Sequence, residues 1–288
     1  MELTLDYDAI VSRVRTTLVE AGSTFRADKQ AAYRRAIAEE SNPRGKWVLE
    51  TILENALVAQ RDHSPLCDDS GIPHLVLELG SDVALTGRAL DAIRQGVQEG
   101  LRELPGRPMG IMGDDAQRID QSGGLNPDSA GVEPSPILLR RCEENVARLH
   151  ILMYGGGPAI RGKCYRVFHK HNVQVVLDQI VEWATEMVSQ LGCSPCTLAI
   201  GVGRSHFEAS AMALQAQVDG RYDVQSAFES EITARVNASD VGPLGLHGQT
   251  SVLATFMKVG PQRASGVRIV CVRPCCCFEP RIATVDLF

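Results

Sequence analysis

The chain lacks any surplus of positive charge: 29 Lys and Arg stand against 35 Asp and Glu, a formal net charge of −6. A nucleic-acid binder would show a basic face, so that class is set aside. No apolar run is long enough to cross a bilayer. The opening MELTLDYDAIVSRV has no basic stretch followed by an apolar core, so no secretory leader and no membrane anchor are expected. Internal repeats, low-complexity tracts and the glycine patterns of Walker and Rossmann sites are also missing, which argues against solenoids and the common nucleotide-binding folds. A disulfide framework is disfavoured as well. Nine cysteines is an odd count, and Cys275, Cys276 and Cys277 are adjacent, an arrangement that suits metal chemistry in a reducing compartment. The cytoplasm is the expected location.

What is present is an ordinary globular composition. With 288 residues, 44% hydrophobic and 22% charged, the chain is long enough for one large domain or two small ones. The first third reads as helices: LDYDAIVSRVRTTLVEAG, then RADKQAAYRRAIAEE with a charged face, then RGKWVLETILENALVAQRD after the turn Ser41-Asn42-Pro43. A strand is expected over 72–79 and a helix over 84–104, stopping at Pro105-Gly106. Residues 105–134 are rich in Gly, Asp, Pro and Ser. They read as a functional loop or a surface insertion. Strands follow at SPILLRR and VARLHILMY, a helix at VVLDQIVEWATEMVSQL, a strand at TLAIGVG, and helices over 205–217 and 222–237. Strands at SVLATFMKVG, GVRIVCVRP and IATVDLF close the pattern. The expected architecture is α+β over residues 1–288 as a single domain. Residues 1–65 form a mainly helical layer, packed on a mixed sheet with helices over 66–288.

The chemistry-bearing stretches fall in loops. Cys67-Asp68-Asp69-Ser70-Gly71 crowds a thiol, two carboxylates and a hydroxyl onto a turn ahead of a strand. Such groups resist burial unless paired or metal-bound, although an exposed turn with a chance cysteine would look the same. Gly155-Gly156-Gly157 follows a strand, where bare backbone amides can bind an anion or simply turn. Arg161 and Lys163 nearby can serve a carboxylate or water. Cys193-Ser194-Pro195-Cys196 separates a helix from a strand. As a C-x-x-C pair it fits half a zinc site; a thioredoxin-type pair would instead open a helix.

Taken together, these cysteine stations resemble the α-subunit or N-terminal domain of iron–sulfur hydro-lyases, the class I fumarases and L(+)-tartrate dehydratases. LENALVAQRDHSPLCDDSG is similar to the family's E-N-A helix and C-Q-D-T-G stretch, and Cys193-Ser194-Pro195 before AIGVG to its C-P-P. Cys277-Phe278-Glu279-Pro280-Arg281-Ile282-Ala283-Thr284 is similar to C-W-x-x-R followed by R-A-T. The glycine triplet, the run over 241–250 and Arg107 align in order, so the likeness covers about residues 43–288.

The resemblance implies a [4Fe–4S] cluster on Cys67, Cys193 and Cys277, with Cys275 or Cys276 as alternative third ligands. It implies an open iron acting as a Lewis acid and the reversible dehydration of a 2-hydroxy dicarboxylic acid. Asp69 and Arg107 are the implied catalytic residues. Asp68, Ser70, Arg281 and Gly155, Gly156 and Gly157 are the implied substrate contacts. A separate β-subunit, an oligomer and cysteine loops converging at one sheet edge are expected with it. Three departures stand out: Asp68 replaces Gln, Ser194 replaces Pro, and Gln262 stands where the family carries His. Asp68 and Gln262 keep a second reading open, a non-catalytic assembly or regulatory subunit with a closed cluster or with zinc on Cys193, Cys196 and two of Cys275–Cys277.

Overall fold

The computed structural model describes residues 6–104, 106–107 and 109–288. The helix start at Leu5 and the stop at Pro105 lie outside the described residues. The chain is α+β and forms two compact units, each with its own mixed four-stranded sheet. The first comprises residues through Thr24, Ala56–Tyr154 and Arg281–Phe288; the second comprises Phe25–Asn55 and Gly155–Pro280.

In the first unit, helix α1 (Tyr7–Ser23) starts where the Asp6 carboxylate accepts the Ala9 amide. Its Ile10, Val14 and Leu18 repeat at helical spacing and are fully buried. Strand β1 (Ile72–Leu79) leads to α4 (Gly87–Glu103), which starts at the Thr86 hydroxyl. Helix α4 can lie close to α1 because Gly96 and Gly100 have no side chain. A Cβ on Gly96 would sit 2.6 Å from that of Val14, and one on Gly100 2.9 Å from that of Leu18. The two helices cover a sheet in the order β2 (Leu138–Arg141), β1, β3 (Ala147–Tyr154), β8 (Ile282–Asp286). Leu75, Leu77, Leu149 and Ile151 fill the core between them. The loop after α4 is less bare than its composition suggests. It carries a short helix α5 (Asp115–Asp120) with a capping box on Asp114, a bridge between Ile111 and Leu125, and a 3-10 turn at Ser129–Gly131.

The second unit contains α2 (Ala27–Glu39) and the first part of α3 (Pro43–Asp62). After Gly155 come α6 (Gly156–Ala159), β4 (Lys163–Phe168), α7 (Val173–Leu191) and β5 (Cys196–Gly203). Then follow α8 (His206–Asp219), α9 (Ala227–Asn237), a 3-10 turn at Pro243–Gly245, β6 (Val252–Val259) and β7 (Val267–Cys275). The sheet order is β4-β7-β5-β6, and β5 is the fully buried central strand. Its core joins Leu177, Ile180 and Val188 of α7 to Leu198, Ile200 and Val272. Two details differ from the sequence reading. Strand β4 was not anticipated, because at a sheet edge only Val167 of KCYRVF is buried and no alternation shows. Helix α9 begins at Ala227, where Ser226 and Glu229 form a capping box, and Tyr222 lies outside it with its ring on Phe256 and its hydroxyl 2.7 Å from Thr197.

Candidate functional site

In the first unit the CDDSG stretch forms the turn that enters β1. Gly71 adopts φ +85°, and an added Cβ would lie 2.6 Å from Arg281 Nη2 and 2.7 Å from the Tyr154 carbonyl. That position belongs to glycine on both counts. Arg281 is buried, donating through Nη1 to the Asp69 carbonyl (2.7 Å) and through Nε to the Met153 carbonyl (3.2 Å). It therefore pins the turn to the ends of β3 and β8. Ser70 is buried against Gly106, where a Cβ would fall 1.4 Å from the Ser70 hydroxyl oxygen. Asp68 is exposed and its carboxylate takes Arg107 Nη1 at 3.2 Å. The Cys67 sulfur stands 3.4 Å from the other Asp68 oxygen. Cys67, Asp68, Asp69, Ser70, Arg107 and Arg281 are thus one local constellation.

In the second unit, Cys193 precedes β5, Cys275 ends β7, and Cys276 and Cys277 follow it directly. These neighbouring strands run antiparallel, so both stations lie at the same end of the sheet. The Cys277 amide donates to the Cys193 carbonyl (2.9 Å), and the Tyr33 hydroxyl donates to the Cys277 carbonyl (2.7 Å). A hydrogen bond with Cys276, then burial, pushes the Cys277 thiol up. Partial burial and the neighbouring Cys276 push the Cys193 thiol up too, while Arg161 opposes that shift. Cys275 turns elsewhere, toward Gln217 (3.4 Å) and Arg273 (3.1 Å), and its thiol is pushed up to about 12, chiefly by burial. Beneath the station lies Lys29, fully buried, with its ammonium on the Glu279 carbonyl at 2.8 Å and 4.2 Å above the Phe25 ring. Burial pulls Lys29 down to about 8, against the opposing pull of Cys276, Cys277 and Cys275.

Glu279 completes this arrangement. Its buried carboxylate takes Arg273 at 2.8 Å and also accepts the Gly155 amide. The first amide of the glycine triplet is therefore used inside the protein, while Gly156 and Gly157 open α6. Arg161 donates to the Gly157 carbonyl (2.8 Å) and the Gln190 carbonyl (2.7 Å), linking the triplet to the end of α7. Gln262 binds the Val202 and Gly260 carbonyls and lines an apolar groove with His169, Phe228 and Met257.

The sequence of residues 11–286 matches the family described as Fumarate hydratase (Fumerase). The chain belongs to the fumarate hydratase family. A Methanocaldococcus jannaschii protein named "Putative L(+)-tartrate dehydratase subunit alpha" is 24% identical over 285 residues, covering 92% of each chain. The L(+)-tartrate dehydratase subunit alpha of Escherichia coli K12 is 22% identical over 244 residues, covering 82% of this chain and 77% of that protein. A Shigella boydii protein of the same name matches to the same extent. The protein is accordingly a hydro-lyase.

For a fumarate hydratase family member, the second unit holds residues that motif reading passed over. Lys29 sits on a helix with an ordinary charged face, and nothing in RADKQAAYRRAIAEE separates it from a solvated lysine. Tyr33 and Arg273 are equally silent in sequence. Glu279 lies inside the C-F-E-P-R motif, and that position was the one available signal. Of the cysteines in the zinc reading, Cys196 is fully buried in the core beside Val252, and burial pushes its thiol well up. Among the described residues, no three His, Cys, Asp or Glu side chains are grouped to hold a metal ion.

Proposed function

We propose that this chain is the α-subunit of a hydro-lyase that reversibly dehydrates a 2-hydroxy dicarboxylic acid such as malate, tartrate or a relative. Cys67, Cys193 and Cys277 would hold a [4Fe–4S] cluster, with Cys276 the alternative third ligand because it also neighbours Cys193. The observation that carries the cluster assignment is the 2.9 Å bond from the Cys277 amide to the Cys193 carbonyl, which brings two cysteine stations together. The fully buried Lys29, on the Glu279 carbonyl, favours an anionic group close by. When bound, such a cluster offers an iron without a protein ligand, a Lewis acid for a substrate hydroxyl.

The protein's own groups do the rest. Asp69, fixed through its carbonyl by Arg281, orients the substrate hydroxyl. Arg107 binds a substrate carboxylate in competition with Asp68. Arg281 acts by positioning, because two of its nitrogens are committed to backbone carbonyls. Gly156 and Gly157 keep the backbone bare for a second carboxylate. The relatives' names speak of a subunit alpha, which supports a β-subunit partner and an assembled oligomer.

The test is anaerobic purification with iron, sulfide and zinc analysis. About four irons and four sulfides per chain, lost in Cys67→Ser, are the expected result. Stoichiometric zinc without sulfide would sink the cluster. Co-expression with the adjacent reading frame is expected to raise dehydratase activity strongly; full activity of the lone loaded chain would refute the β-subunit.

A further inference from the structure

Three cysteines lie outside the cluster stations and outside the core: Cys142, Cys164 and Cys271. Two of them face each other. Cys164 on edge strand β4 is the direct cross-strand partner of Cys271 on β7, and Cys271 in turn opposes Gly201 on β5. Directly opposed residues share a face of the sheet, so Cys164, Cys271 and Gly201 form a row across three strands. Helix α8 lies over this row. A Cβ on Gly201 would meet the Ala209 carbonyl oxygen at 1.9 Å, and the Ser210 hydroxyl approaches the Cys164 and Cys271 sulfurs at 3.8 and 3.9 Å.

Small residues under a close helix explain Gly201. They do not explain two thiols directly opposed on the same face beneath it. Opposed Cα atoms in an antiparallel pair are about 4.5–5.5 Å apart, whichever kind of pair they form. A disulfide spans Cα separations of about 4.4–6.8 Å. The register therefore already satisfies the backbone requirement.

We propose that Cys164 and Cys271 form a peroxide-responsive dithiol, closing to a cross-strand disulfide that staples β4 to β7. The chemistry balances with a hydroperoxide as oxidant. The Cys164 thiolate attacks a peroxide oxygen; the S–O bond forms, the O–O bond breaks, and the leaving hydroxide (or alkoxide) is protonated. Cys271 sulfur then attacks the Cys164 sulfenic acid. The S–S bond forms, the S–O bond breaks, and hydroxide leaves with the Cys271 proton as a second water. Two electrons pass from the sulfurs to the peroxide. The local electrostatics suit this order: the hydrogen bond from Cys271 brings the Cys164 thiol down to about 6, and the same bond pushes Cys271 up. Cys164 is half-exposed on the edge strand, where small oxidants reach it. The staple would join the strand that follows the glycine triplet to the strand that runs into Cys275–Cys277.

The experiment treats the cluster-loaded chain anaerobically with stoichiometric hydrogen peroxide, then alkylates it and maps its peptides, with iron release followed in parallel. The expected result is a linked peptide pair containing Cys164 and Cys271, reversed by dithiothreitol. In Cys271→Ser, Cys164 should be trapped by dimedone as the sulfenic acid, and in Cys164→Ser neither product should form. Both thiols still alkylated after peroxide, Cys164 carried on to sulfinic acid, or linkage only among other cysteines would each overturn the proposal. The wild-type map decides the matter whether or not either variant folds.

Discussion

Asp68 shows how one side chain can tune a site. Its carboxylate holds Arg107 at 3.2 Å, but both groups are largely exposed, so the pair adds at most about 1 kcal/mol to stability. Its effect falls on Arg107, which must leave it to meet a substrate carboxylate. Asp68→Gln is expected to lower KM for the dicarboxylate several-fold with little change in Tm; an unchanged KM would remove Arg107 from substrate binding. Gly71 makes the opposite kind of case. With φ +85° and three heavy atoms under 3 Å from an added methyl group, Gly71→Ala should cost roughly 1–3 kcal/mol in thermal unfolding and loosen Arg281 from Asp69. A third expectation concerns pH. A thiol near 6 is thiolate above that value, so Cys164 alkylation should rise through about pH 6 and level off by neutrality. A rise only near the ordinary thiol range would show that the pair does not share a proton. The three cysteine stations were legible at this scale because a thiol in a loop motif stands out against a polar background. Lys29 and Arg273 were not, because burial of a charged residue leaves no mark in the chain; it follows from what other segments bring to it.

Most helices and strands could be read from periodicity, because amphipathic faces are written locally. What escaped depended on neighbours. Strand β4 is an exposed edge whose pairing with β7, not its side chains, makes it a strand. Helix α5 forms in a loop because Asp114 and Gln117 cap each other's backbone amides. The close approach of α1 to α4 rests on Gly96 and Gly100, which read in sequence only as weak helix formers. Gly96→Leu should force α1 away from its partner and destabilise the chain by about 1–3 kcal/mol or more, measurable as a lower urea midpoint. If the midpoint holds, the helices have room that the geometry denies.

The α+β class was legible, and the division into two sheets was not, since no linker or composition shift marks where one unit gives way to the other. Each unit has its own apolar core, so truncation in either should loosen its own strands. Leu149→Ala is expected to cost about 2–5 kcal/mol and to speed amide exchange first in β1, β3 and β8. The sheet of the first unit also carries a temporal consequence. Its strand β3 ends at Tyr154, but the partner that closes its edge, β8, begins only at Ile282. As the chain emerges from the ribosome, every residue of β4 through β7 is made while β3 still presents an unpaired backbone edge. The earliest helix and strands therefore wait, half-assembled and open to strand addition, for the last eight residues of this sequence. The arrival of β8 moves the open edge of this sheet from the eight-residue β3 to a five-residue strand, a shorter template for strand addition.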